Sequence, residues 1–71
     1  MQYTVKQARL LADLTQAEMA EKLGVSAPTY IKYEHDPTQM RLDRLIKFSK
    51  VTGIDLMDLR YDGIATLGKA D

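Results

Sequence analysis

The chain has 71 residues, 45% of them hydrophobic and 28% charged, which predicts one small soluble domain with a single core. It contains no cysteine, which excludes disulfides and thiolate metal sites and fits a reducing, cytoplasmic environment. The net charge is zero, and the longest uninterrupted apolar run, Leu10-Leu11-Ala12, is far too short for a membrane span.

Apolar residues recur at helical spacing along the chain, and turn residues separate the repeats. The sequence predicts no strands and five helices, at about residues 4–12, 16–23, 27–34, 42–52 and 56–60. A loop is expected at residues 35–41, because the residue before Pro37 is pushed out of helical geometry. Gly53 is expected to end the fourth helix, and Asp55 to cap the fifth.

The segment around the second and third helices carries the most specific local signals. Thr15, followed three residues later by Glu18, is a capping box that starts the second helix. Gly24 ends that helix in a left-handed conformation, and Ser26 caps the next one, with Pro28 in its first turn. This is the pattern of a helix-turn-helix, whose second helix usually lies in the major groove of DNA.

The distribution of charge matters for a nucleic-acid function, because phosphate neutralisation supplies most of the affinity. Residues 1–50 carry eight basic and six acidic side chains, a net charge of +2. Residues 51–71 carry two basic and four acidic side chains, a net charge of −2. The acidity is therefore concentrated away from the predicted reading surface, and we expect modest DNA affinity with strong salt dependence.

The runs TQAEMAEKLGVS, TYIKYE and LDRLIKFSKVTGIDLMDL resemble the lambda repressor and Cro (Xre) type of helix-turn-helix protein. The resemblance covers about residues 3–60. It implies an all-α, compact five-helix bundle in residues 1–60. Residues 61–71 show no helical periodicity and contain two glycines, so a short loose tail or a dimerisation arm is expected there. The resemblance also implies a dimeric regulator of transcription that binds a palindromic double-stranded DNA operator, as in phage repressors, mobile-element regulators and antitoxins.

The resemblance places the base-reading surface on the third helix, at Ser26, Ala27, Pro28, Ile31 and Lys32. Lys32 can donate to guanine, and Ala27 or Ile31 can contact thymine methyl groups. The family favours Gln, Arg, Ser or Asn where this chain has Ala27 and Pro28, so specificity would depend on Lys32, methyl contacts and DNA shape. The alternative for Ile31 is an ordinary exposed apolar residue.

The resemblance also implies contacts to the DNA backbone, from Gln16, Thr38, Gln39, Arg41 and Arg44. Gln16 would anchor a phosphate and brace the third helix; the alternative is a simple polar residue in a first helical turn. The alternative for Thr38 and Gln39 is a solvated polar loop. This chain has Asp36 where the family usually has glycine, and Met40-Arg41 where it has Pro-Ser. The resemblance therefore does not determine the path of this loop.

Two further features of the third helix concern packing. The resemblance implies an ion pair between Arg9 and Glu34 that joins the first and third helices. Tyr30 and Tyr33 are expected to pack inward, because residues three apart lie on the same helical face, with hydroxyls that can reach the surface. The alternative is that their rings stack on bases.

Catalysis is not expected, because the only cluster of catalytic residue types is Glu34-His35-Asp36, and adjacent residues point in different directions. No cofactor or metal site is predicted, since His35 is the sole histidine. The competing hypothesis is a protein-interaction module such as an antirepressor or antitoxin component, with Leu11 and Ile31 exposed. A weak homodimer is expected through the apolar residues Leu56, Met57, Tyr61 and Ile64.

Overall fold

A computed structural model describes residues 2–60, and four α-helices account for most of them. The helices are α1 (Val5–Leu11), α2 (Gln16–Leu23), α3 (Ala27–His35) and α4 (Leu42–Thr52). Two 3₁₀ turns, Pro37–Gln39 and Leu56–Asp58, follow α3 and α4. The predicted tail, residues 61–71, lies outside the described residues. None of the helices described here is long and apolar enough to cross a membrane.

The first three helices begin at hydroxyl caps. Thr15 and Glu18 form the predicted capping box at α2, with the Thr15 hydroxyl accepting from the Glu18 amide at 3.0 Å. Thr4 and Gln7 form a second box at α1 that the sequence analysis did not identify. Ser26 caps α3 as predicted. Each cap satisfies backbone donors that would otherwise lack a partner and contributes about 1 kcal/mol.

Glycines end α2 and α4 in the left-handed conformation, as predicted. Gly24 has a φ of 76° and Gly53 a φ of 75°. At Gly24 this conformation turns the chain sharply, and only three residues separate the end of α2 from the start of α3. The turn therefore fixes the two helices of the helix-turn-helix close together.

One hydrophobic core joins the four helices. α2 packs against α3 and α4, and α1 packs against the same two helices. Ala20, a small residue on α2, is 2% exposed and lies in this core. The buried apolar residues are Val5, Ala8, Met19, Ala20, Leu23, Tyr30, Tyr33, Met40, Phe48 and Leu59.

The predicted fifth helix is not confirmed; a single 3₁₀ turn occupies the start of that segment. Asp55 caps the turn, as predicted. Leu59 then adopts an extended conformation, is buried, and forms an isolated parallel β-bridge with Tyr3. The Tyr3 amide donates to the Asp58 carbonyl at 2.7 Å, and the Arg60 amide donates to the Tyr3 carbonyl at 2.8 Å. These two hydrogen bonds draw the chain out of helical geometry.

Replacing Gly24 with alanine tests the importance of the turn. No atom of the described residues would lie within 4 Å of an added Cβ, so the cost comes from the backbone alone. We expect Gly24→Ala to lower the free energy of unfolding by about 1 kcal/mol, since the left-handed conformation disfavours a side chain. Gly24→Asn is the matched control and should lose less, because asparagine tolerates this conformation. Urea unfolding measures both; equal losses would contradict the backbone explanation.

Candidate nucleic-acid interface

Helix α3 separates a buried face from an outward face. Tyr30 and Tyr33 are buried, which confirms that they pack inward. Their rings meet edge to face, with centroids 6.4 Å apart. Pro28, Lys32 and His35, spaced by four and three residues, are exposed on the opposite side. We call Pro28, Lys32 and His35 the outward stripe.

The other predicted base-reading residues are either partly buried or already hydrogen-bonded within the helix cap. Ile31 is half-buried beside it. Ser26 is exposed, but its hydroxyl accepts from the Thr29 amide and donates to the Thr29 hydroxyl as part of the helix cap. Ala27 is partly buried and packs against the core. Of the predicted set, Pro28 and Lys32 therefore present the most accessible side chains.

His35 belongs to the outward stripe, although the sequence analysis considered it only as a catalytic or metal-binding residue. It lies seven residues after Pro28, two helical turns further along the same face. From that spacing alone, the sequence could have predicted that His35 shares a helical face with Pro28 and Lys32. The stripe thus ends in a second nitrogen-bearing side chain, one turn beyond Lys32.

The single carboxylate of α3 points away from the outward stripe. Glu34 accepts a hydrogen bond from Arg9 Nε at 2.6 Å through Oε2, and one from Gln16 Nε2 at 3.0 Å through Oε1. Arg9 also donates to the Leu14 carbonyl at 2.9 Å. Since Arg9 lies on α1 and Gln16 on α2, one carboxylate joins three helices. The outward stripe carries no negative side chain as a result.

The environment of Glu34 favours its ionised form. Burial raises the pKa of Glu34, but the hydrogen bond from Arg9, the nearby Tyr30 hydroxyl and the hydrogen bond from Gln16 outweigh it, and the net pKa is lowered. The side chains of Arg9 and Glu34 are only 8% and 7% exposed, so water screens this pair weakly.

The Tyr30 hydroxyl lies beside this ion pair, in the interior. Its oxygen is buried and no described group meets hydrogen-bond geometry with it, although it interacts electrostatically with Glu34 and Arg9. Burial, followed by the nearby Glu34 carboxylate, raises the pKa of Tyr30. The expectation that this hydroxyl reaches the surface is therefore wrong.

Gln16 lies in the first position of α2 and braces α3 through Glu34. A side-chain amide nitrogen carries two hydrogens, and the bond to Glu34 uses one of them. The second hydrogen can still be donated to an anion at the start of α2. Bracing and phosphate binding are thus chemically compatible at this residue.

The loop after α3 turns its polar side chains toward Asp36. The Asp36 carboxylate accepts from the Thr38 hydroxyl at 2.6 Å, the Thr38 amide at 3.2 Å and Gln39 Nε2 at 3.3 Å. These hydrogen bonds, the one from the Thr38 side chain first, lower the pKa of Asp36. Thr38 and Gln39, which are predicted to contact phosphate, therefore donate to a carboxylate of their own loop in this structure.

Two arginines lie at the start of α4 on either side of Asp43. Arg41 Nε is 4.0 Å and an Arg44 terminal nitrogen 3.6 Å from the Asp43 carboxylate. Exposed ion pairs of this length contribute little, so both guanidinium groups stay accessible to another anion. Within residues 2–60, no three potential metal-binding side chains of His, Cys, Asp or Glu lie together.

Comparison with known proteins gives two matches. The Helix-turn-helix family model matches residues 5–59. The chain is also similar to the cryptic phage CTXphi transcriptional repressor RstR of Vibrio cholerae, with 31% identity over 58 residues. That match covers 82% of this chain and 52% of the relative, so the chain spans about half the length of the curated protein it matches. No solved structure matches the chain.

Removing Arg9 tests whether the ion pair fixes the architecture. We expect Arg9→Ala to lower the free energy of unfolding by on the order of 3 kcal/mol, because Glu34 is left as an unpaired, nearly buried charge. The double variant Arg9→Ala with Glu34→Ala should lose less than the sum of the single losses. Chemical unfolding of all three proteins gives the comparison. Additive losses would mean that the two side chains act independently.

The lowered pKa of Glu34 gives a pH prediction. A carboxylate whose folded-state pKa is depressed stabilises the fold above its ordinary pKa, 4.5, and loses that contribution as pH falls through the folded value. We therefore expect the melting temperature to decrease once the pH is lowered past about 4.5, and to decrease less steeply in Glu34→Gln. Thermal unfolding between pH 7 and pH 3 measures the slopes. Parallel curves for the two proteins would contradict this role of Glu34.

Proposed function

Since the chain belongs to the helix-turn-helix family of the lambda repressor and Cro (Xre) type, we propose that it regulates transcription by binding a double-stranded DNA operator. The observation that carries the proposal is the outward stripe of Pro28, Lys32 and His35, exposed on α3 while Glu34 is held inward. A repressor role is supported by the similarity to a phage transcriptional repressor.

In the proposed complex α3 lies in the major groove, which is wide enough for one helix. Lys32 donates to guanine O6 or N7, and Ile31 contacts a thymine methyl group. Pro28 makes only apolar contact, so DNA shape contributes to specificity. Ser26 approaches the DNA at the start of the helix, and Ala27 contributes least because it packs toward the core.

Phosphate contacts in the proposal come mainly from Gln16, Arg41 and Arg44. Gln16 retains one amide hydrogen, and both arginines have only long, exposed partners. Thr38 and Gln39 would first have to release the Asp36 carboxylate. The carboxylate would itself repel a phosphate, so we give these two residues a smaller share of the binding energy.

Selection of bound duplexes from a random library is the direct test. A palindromic consensus is the expected result, because a two-fold dimer reads two half-sites about 34 Å apart. Affinity for random duplex should also fall steeply with added salt, since each neutralised phosphate releases counterions. Absence of duplex binding even at low salt would overturn the proposal and favour the protein-interaction module.

Substitution of Lys32 tests the reading surface. We expect Lys32→Ala to weaken operator binding about tenfold and to relax preference at one base pair, in line with the loss of one good base contact. Lys22→Ala is the matched control: this exposed lysine lies beside Glu18 and Glu21 on α2 and does not belong to the outward stripe. Fluorescence anisotropy with operator and scrambled duplexes measures both. Equal effects of the two variants would remove Lys32 from the reading surface.

Of the residues predicted to form the homodimer, the structure describes Leu56 and Met57. Met57 is 82% exposed, whereas Leu56 is half-buried against the core. Tyr61 and Ile64, the other predicted contacts, lie outside the described residues. We expect a weak dimer that Met57→Glu disrupts, because a charge replaces exposed apolar surface. Sedimentation at micromolar to millimolar concentration measures this; unchanged association in Met57→Glu would place the interface elsewhere.

A further inference from the structure

The outward stripe is almost as long as the major groove is wide. Seven residues separate Pro28 from His35, which corresponds to about 10 Å along the helix, and the groove is about 12 Å wide. When Lys32, between them, reaches a base edge, the two ends of the stripe come close to the phosphates that line the groove. A proline side chain has no donor, so His35 is the end that can bind a phosphate.

The side chains of Lys32 and His35 have no partner among the described residues. Within residues 2–60, neither side chain forms a hydrogen bond or an ion pair, and only the backbone carbonyl of Lys32 accepts, from the Asp36 amide. Both side chains are exposed. An approaching anion therefore displaces no existing contact of either one.

Three elements pack against α3, namely α1, α2 and the 3₁₀ turn Pro37–Gln39. On α1, Arg9 pairs with Glu34, on the buried side of α3. The charged residues of α2 that line a separate groove beside Leu14 are Glu18, Glu21 and Lys22. The groups of these two helices therefore leave the charge at the end of the outward stripe to the residues around His35 itself.

The carboxylate closest in sequence to His35 is that of Asp36. Hydrogen bonds, the one from the Thr38 side chain first, lower the pKa of Asp36, so this carboxylate stays ionised at neutral pH. It would repel a phosphate at this end of the outward stripe. A proton on His35 offsets that charge, and the stripe then carries two positive charges, since Lys32 lies one helical turn earlier.

We infer that the protonated imidazole of His35 binds a DNA phosphate at the end of the outward stripe, so that DNA affinity rises as the pH falls. Histidine is the side chain that changes charge between about pH 8 and pH 5, and His35 is the only one in the sequence. The inference rests on the proposed DNA-binding function and adds to the interface a residue that the sequence analysis did not place there.

Duplex titrations at two pH values test this contact in the full chain. We expect each wild-type copy to bind the selected operator about fivefold more tightly at about pH 5.5 than at about pH 8, as for one exposed ion pair. The plot of log affinity against log salt concentration should steepen by roughly 0.9 per copy, since one more phosphate is neutralised. A scrambled duplex should show the same changes, because phosphates carry no sequence information. A pH effect confined to the operator would overturn the inference.

Two substitutions at His35 separate its charge from its shape. His35→Gln stays neutral and should lose both the pH dependence and the steeper salt dependence. His35→Lys is charged throughout and should bind at about pH 8 as tightly as the wild type binds at about pH 5.5. A wild-type pH dependence that persists in His35→Gln would overturn the inference and leave the DNA-binding function intact. Absence of duplex binding by the wild type would overturn both.

Thermodynamic linkage provides a second measurement. Since protonation is expected to strengthen DNA binding about fivefold, DNA binding must favour protonation by the same factor. The imidazole signals in an NMR spectrum belong to His35 alone, because the sequence has no other histidine. The midpoint of their pH titration should move upward by roughly 0.7 pH unit when duplex is added, which is the logarithm of that factor. An unchanged midpoint in a protein that binds duplex would overturn the inference.

Discussion

The ion pair between Arg9 and Glu34 determines which way α3 faces. The two residues are 25 positions apart, and their contact holds the end of α3 against α1. Gln16 on α2 donates to the other oxygen of the same carboxylate, so α2 is also linked to α1 and α3. Since both charged side chains are almost fully buried, neither is tolerated without the other. The orientation of the outward stripe therefore depends on residues that do not belong to it.

This arrangement also resolves the apparent conflict between a neutral chain and a nucleic-acid partner. Helix α3 carries Lys32 on its exposed side and Glu34 on its buried side, where Arg9 neutralises it. The charge that a partner meets is therefore not the net charge of the chain, because fields are set by the placement of charges. Asp36 is the exception, as its carboxylate is held in the loop beside the outward stripe.

The parts of the fold that the sequence predicted are those encoded by local signals. The bounds of α2 agree with the prediction because a capping box and a left-handed glycine mark its two ends, and the end of α4 agrees because Gly53 follows it. The segment after Asp55 does not form the predicted helix because Leu59 pairs with Tyr3, near the start of the chain. Such long-range pairing leaves no mark in the local pattern.

The same distinction applies to the candidate site. The inward packing of Tyr30 followed from helical spacing alone, and the position of His35 was available by the same rule. The turning of Thr38 and Gln39 toward Asp36 was not, because it depends on the loop path. The partial burial of Ala27 likewise depends on how closely α3 approaches the core. Spacing predicts the face of a helix, but not what covers it.

The parallel bridge between Tyr3 and Leu59 has a mechanical consequence. It lies near both ends of the described segment, and its two strands run in the same direction. Tension applied between the two ends would load both of its backbone hydrogen bonds in shear, together and before any helix is stretched. A pair of hydrogen bonds loaded in this way acts as a clamp, and the helices behind it would unravel only after it had broken.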